Sequence, residues 1–205
     1  MHRFNFIVAF RNIWNNKVFS AVNIFGLAIS LASCLVISLF VWNEWRHDSF
    51  HKNINNIYRL TEKQNQAGNL YNVAVTPGPL APALRQDFPE IVNTVRFSNW
   101  SGLLKNGQQV FEEQNIQLTD NSIFSVFDFP LLKGNPGTAL LAPDEIVITE
   151  NMAVKYFGEQ WAANPALLGQ VFSLNNQFDF KLAGVVKNVP ALSSIQFDFL
   201  LPLDY

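Results

Sequence analysis

Four side chains close together in the sequence have the types and spacing for chemistry: Glu44, His47, Asp48 and His51. On a helix, His47 and His51 would stand one turn apart on one face. His-Asp-Ser-Phe-His then differs by one carboxylate from the His-Glu-x-x-His pattern, in which two histidines hold zinc and the glutamate acts as base. The reading without a metal is the stronger one. Aspartate is shorter than glutamate, Glu44 precedes the pair, and a long apolar run leads straight into the segment. Zinc also normally takes a third protein ligand, and none is evident. Asn99-Trp100-Ser101 is a formal glycosylation sequon, for which a chance match is the better reading.

Other chemistry leaves no mark. The chain has no Gly-x-x-x-x-Gly-Lys-Ser/Thr to cradle a nucleotide phosphate, no Gly-x-Gly-x-x-Gly and no Gly-x-Ser-x-Gly. Its one cysteine, Cys34, precludes an intrachain disulfide and falls in an apolar run, where it serves as a small hydrophobe. Carboxylates are scattered as on a solvated surface. The formal charge of −2 gives no basic face for nucleic acid. No catalytic residue, cofactor or metal site is expected.

The apolar run is the dominant element. Val18 to Asn43 carries no formal charge, and as a helix rising ~1.5 Å per residue it spans roughly 39 Å. A hydrocarbon core of ~30 Å is covered with length to spare. Gly26, Ala28, Ser30, Ala32 and Ser33 would let a second helix approach, and Trp42 and Trp45 stand where an interfacial belt is expected. Arg3, Arg11 and Lys17 precede the run without an acidic residue, whereas Glu44, Arg46, Asp48 and Lys52 cancel after it. The positive-inside rule therefore puts the N-terminus in the cytoplasm and the chain beyond Trp45 outside. A cleaved signal peptide would have a shorter apolar core and a small-residue cleavage site. Apolar residues at 4, 7, 8 and 14 suggest an interfacial helix from Phe4 to Trp14, blurred by those at 6, 10 and 13. The divisions are 1–17, a cytoplasmic segment; 18–45, a transmembrane helix; and 46–205, an extracytoplasmic domain.

That domain reads as α+β with mostly antiparallel strands. Ile57–Lys63 and Leu70–Thr76 form a hairpin about Ala67-Gly68-Asn69, and a short helix ends near Phe88 before Pro89. Val92–Leu104 and Gln108–Leu118 flank Asn106-Gly107, a hairpin signal, and Asp120 is placed to cap a short helix. Glu145–Thr149 is a strand running into the helix Glu150–Phe157, which Gly158 closes; Val171–Leu174 and Phe178–Val186 flank Asn175-Asn176. The 19 phenylalanines fall mostly on these elements, as core residues. The last residues, from Phe197 to Tyr205, read as a strand leaving for something further, the mark of a fragment.

Taken together, several of these stretches resemble one family. Asn16–Ala32 is similar to the first transmembrane helix of MacB/FtsX-type ABC transporter permeases. Asp48-Ser-Phe-His51 and Ile57-Tyr-Arg59 resemble the start of that family's periplasmic core domain. Gly78–Leu84, Phe127–Gly134, Ile148–Gly158, Gly184–Pro190 and Phe197-Asp-Phe199 follow in family order. The resemblance makes Asp-x-Phe-His a packing signature instead of a metal site. It implies the N-terminal portion of a permease subunit in a bacterial inner membrane. Such a subunit pairs with a second copy and with a separate cytoplasmic ATPase that carries the hydrolysis. It also implies contact with lipid and with a periplasmic adaptor or substrate protein. Its work would be export or mechanotransmission, in which ATP-driven movement reaches the outer domain through the first helix. The later helices and the ATPase-coupling loop of the family are missing from this sequence. The competing readings are a stand-alone, membrane-tethered binding or sensing module and, more remotely, a tethered hydrolase built on the histidine pair.

Overall fold

The computed structural model describes Arg11 and residues 14–204. Apart from Arg11 and Trp14, the expected interfacial helix at Phe4–Trp14 lies outside the described residues. The chain divides into two units, Met1–His47 and Asp48–Tyr205.

In the first unit the long helix is α1 (Lys17–Trp45), of 29 residues with no buried side chain. It is long and apolar enough to cross a membrane. A polar side chain there needs a partner within its own helix, and the Ser30 hydroxyl donates to the Gly26 carbonyl at 2.8 Å. The helix winds down through a tighter turn, with the Arg46 and His47 amides donating to Asn43 and Glu44, each at 3.2 Å.

The second unit is α+β. Its elements run β1 (Glu62–Gln66), β2 (Asn69–Val73), α2 (Leu80–Asp87), β3 (Phe97–Asn106), β4 (Gln109–Thr119), α3 (Ile123–Val126), β5 (Leu131–Gly134), β6 (Glu145–Thr149), α4 (Glu150–Phe157), β7 (Val171–Leu174), β8 (Phe178–Val186) and β9 (Phe199–Pro202). β1 and β2 form a separate two-stranded sheet, and the other strands follow the order β5-β8-β6-β9-β4-β3-β7. Strand β7 pairs with β8 as well as with β3, so six strands close into a ring. The first half of β8 holds β7 and the second half holds β5 on the same edge. Only β4–β9 and β6–β8 are parallel.

Alternation along the strands sorts the core onto two faces. Ile146 and Ile148 of β6, Val185 of β8, and Phe199 and Leu201 of β9 join Leu104, Ile116, Phe172, Phe180 and the α4 residues Ala153 and Tyr156 in one cluster. Val147, Val186 and Leu200, each one residue out of phase, point the other way. They pack with Ile123, Phe129, Leu140 and Phe197. The middle of β6, Ile146 to Ile148, and all of β9 are consequently apolar, as strands covered on both faces must be.

Several sequence expectations shift. Strand β3 begins at Phe97, not Val92, because the backbone before it is engaged elsewhere: Thr94 accepts from the Ser122 hydroxyl at 2.6 Å, and the Arg96 amide donates to Asp120 at 2.8 Å. Its hairpin turns on Gly107-Gln108, since Asn106 already pairs with Gln109. With φ +57° at Gly107 this is the turn that places glycine first. β1 starts at Glu62, because the Ala67-Gly68 turn sets a ladder that ends at the pair Glu62–Val73. Asp120 does not cap α3 with its side chain, because its carboxylate is taken by Arg96. The C-terminal strand does not leave the domain: β9 lies between β6 and β4 in the sheet and is wholly buried.

Candidate functional site

The proposed histidine pair is not a pair. Helix α1 ends at Trp45, and Asp48 adopts φ +56°, so residues 47 to 51 lack the helical phase that would align them. Glu44 is exposed on the last turn of α1, and the Nδ1 of His47 lies 3.3 Å from the Asn43 carbonyl. Among the described residues, no group of three His, Cys, Asp or Glu side chains is arranged to hold a metal.

Asp48 and His51 instead fasten the leading segment of the second unit to two distant parts of its fold. The Asp48 amide donates to Leu192 at 2.9 Å, and its Oδ1 accepts from the Ser194 amide at 2.8 Å. Burial opposes ionisation of Asp48. The hydrogen bonds from Ser194, with help from His51 and Ser193, outweigh it and hold the carboxyl below its usual range. His51 is 2% exposed, and its Nδ1 accepts from the Asp128 amide at 3.0 Å. An imidazole nitrogen accepts only when unprotonated, so this bond specifies the neutral ring with its proton on Nε2. Burial drives the same way, lowering the pKa of His51 against the opposing charges of Asp48 and Asp128. Phe50, Phe127 and Phe129 surround the ring at centroid distances of 3.9, 5.2 and 5.3 Å. The adjacent Lys52 amide donates to Asp128 Oδ2 at 2.7 Å.

The chain then makes a long excursion, residues 53–93, carrying β1, β2 and α2. No residue from 52 to 103 is buried. It returns beside its point of departure. Asn93 donates to the Ser125 hydroxyl at 3.2 Å, and Arg96 grips Asp120 through Nε and through Nη2 at 2.6 Å. Both ends of the excursion are thus tied to the short stretch 120–128 around α3.

A second polar cluster lies inside the ring. Glu113, 6% exposed on β4, accepts through Oε1 from Lys155 at 2.7 Å and from the Tyr156 hydroxyl at 2.9 Å. Burial, then the bond to Glu113, raises the Tyr156 pKa, so the phenol stays protonated as donor. The Lys155 ammonium also sits 4.5 Å above the Phe111 ring. The charge of Glu113 is thus matched, and the cluster clamps α4 to β4.

Asp48 and His51 were visible in sequence through Asp-x-Phe-His, and Asp128 lies within the Phe127–Gly134 stretch already singled out. Nothing in the sequence marked Ser194, the Arg96–Asp120 pair or Glu113, since each partner is remote in the chain.

The model of the MacB-like periplasmic core domain family matches residues 20–205. The chain belongs to that family. Among solved structures, this MacB-like chain is similar to a domain assigned to a permease protein from Porphyromonas gingivalis. The two are 21% identical with a TM-score of 0.57 over 70% of this chain and 60% of that one. That likeness shows the fold, and the present chain spans about three-fifths of that relative's length. The periplasmic region of MacB from Actinobacillus actinomycetemcomitans matches at 21% identity and a TM-score of 0.42, over 55% of this chain and 48% of that one. The extracellular domain of the noncanonic ABC-type transporter YknZ from Gram-positive bacteria matches at 16% and 0.41, over 54% of each. A comparison with curated protein sequences finds no match.

Proposed function

We propose that this chain is the N-terminal portion of a permease subunit of a MacB/FtsX-type ABC transporter. The carrying observation is that one family match runs unbroken from residue 20 to 205, taking in most of α1 together with the whole sheet domain. Helix α1 anchors the chain in a bacterial inner membrane. The excess of Arg3, Arg11 and Lys17 before it supports a cytoplasmic N-terminus and a periplasmic domain. A separate ATPase hydrolyses ATP, a second permease subunit pairs with this one, and the domain exports a substrate or transmits force outward. A helix longer than the bilayer is thick suits a rigid lever, and the leading segment at Asp48 and His51 is where its motion would reach the domain.

The test is recovery of the chain, tagged at its C-terminus, from native membranes in mild detergent. A co-purifying cassette-type ATPase whose hydrolysis responds to the outer domain is the expected result. Recovery alone, or with periplasmic proteins only, refutes transport and leaves a tethered binding or sensing module.

A further inference from the structure

His51 is one of two prongs that hold the leading segment, and its holding atom is an imidazole nitrogen. Its Nδ1 uses a lone pair to accept from the Asp128 amide at 3.0 Å, and an imidazolium has no such lone pair. Its Nε2 is buried without any hydrogen-bond partner, so a proton added to the ring finds no acceptor in this arrangement. The side chain is 1% exposed, which closes the route to water. Yet an acceptor stands close by. The Asp128 carboxylate lies 4.0 Å from Nδ1, occupied by the Lys52 amide at 2.7 Å.

We propose that the His51–Asp128 contact is a proton-operated latch. Neutral His51 holds the leading segment against the 127–129 turn, and protonation exchanges the Asp128 amide for the Asp128 carboxylate. No bond other than the N–H is made. The proton comes from solvent onto Nδ1, the Asp128 amide loses its acceptor, and the Lys52 amide loses its claim on the carboxylate. The charged groups facing the ring are Asp48 on its own turn and Asp128 on the turn after α3. The rings of Phe50, Phe127 and Phe129 are uncharged, and Ser193 and Ser194 face Asp48. The Asp48 prong stays fixed, because its carboxyl is held ionised. An open latch therefore leaves the segment tethered at Asp48 and free from His51 to Lys52. This goes beyond the permease reading and does not need it, since the latch belongs to residues 48–129 whatever the chain's partners.

The latched ring has its pKa lowered, so the latch is at full strength above the ordinary histidine value and weakens as pH falls below it. If the latched state excludes the proton, opening rises up to about tenfold between about pH 7.5 and about pH 5.5. The experiment is hydrogen exchange on the full chain in detergent, corrected for the intrinsic pH dependence of exchange, following segments 48–52 and 126–130. Protection there is expected to fall with pH while β6 stays constant. His51→Asn, whose Oδ1 can accept from the Asp128 amide but cannot titrate, is expected to abolish the dependence. Flat protection in the wild type, or equal dependence in His51→Asn, overturns the proposal. If that variant does not fold, NMR of the His51 ring in the wild type decides. A midpoint below the ordinary value that coincides with opening supports the latch. Titration at the ordinary value with Nδ1 still accepting overturns it.

Discussion

Strand β5 hangs on β8 alone, and at its end two glycines face each other, Gly134 opposite Gly184. A β-carbon on Gly134 would lie 2.4 Å from the Ala183 carbonyl oxygen and 2.9 Å from the Gly184 Cα, at φ +95°. Neither neighbour is a flexible side chain that could swing away. Gly134→Ala therefore combines backbone strain of about 1–3 kcal/mol with an overpacking cost of about 1–3 kcal/mol. A β-carbon on Gly184 meets the Lys133 carbonyl at 3.0 Å and Leu131 at 3.2 Å, without a positive φ. Gly184→Ala should show only the milder steric part, about 1 kcal/mol. Taking about 4 kcal/mol for Gly134→Ala, the domain's melting temperature should fall by roughly 8–16 °C. Near-UV circular dichroism of the full chain in detergent reports it, because α1 retains its helix while the packed aromatic core melts. A Gly134→Ala protein that melts within about 2 °C of wild type, or no lower than Gly184→Ala, would refute the reasoning.

Glu113→Leu should destabilise the domain by about 2–3 kcal/mol, because the buried Tyr156 hydroxyl is left with only the Leu104 carbonyl at 3.5 Å. Tyr156→Phe should cost about 1 kcal/mol, and urea unfolding giving the opposite order would contradict the clamp. Asn175→Gly preserves the φ of +54° but removes the acceptor for the Leu103 amide at 2.9 Å, so that amide should exchange about fivefold faster. An unchanged rate would mean that the bond does not seal the junction of β7 with β3. Arg96→Met removes the grip on Asp120 at the return of the excursion and should speed limited proteolysis within residues 53–93. Unaltered cutting would show that the excursion does not depend on that anchor.

Local signals carried most elements. The Glu145–Phe157 strand–helix unit and the Asn175-Asn176 turn could be read because each is written in contiguous residues. The hairpin at Gly107 was read one residue early, since Asn-Gly announces a turn but cross-strand pairing decides its register. What could not be read is the closure of the sheet. β7, already the hairpin partner of β8, must also find β3, and the parallel pairs β4–β9 and β6–β8 join strands with no turn between them. Nothing local encodes such pairings. The same limit applied to the site. His51 was noticed as half of a helical pair, whereas its partner is an amide 77 positions away. Asp120 looked like a cap because caps are local, and it was claimed by an arginine 24 residues upstream.

The excursion that leaves after Lys52 and returns at Arg96 has a consequence of a different kind. Both its ends are fixed on residues 120–128, and it contributes no buried side chain to either core cluster. The entropic cost of closing such a loop grows only with the logarithm of its length. Residues 53–93 can therefore be lengthened, shortened or exchanged as a cassette while the ring behind them keeps its fold. This places the domain's freedom to acquire new surfaces in one interchangeable stretch of chain.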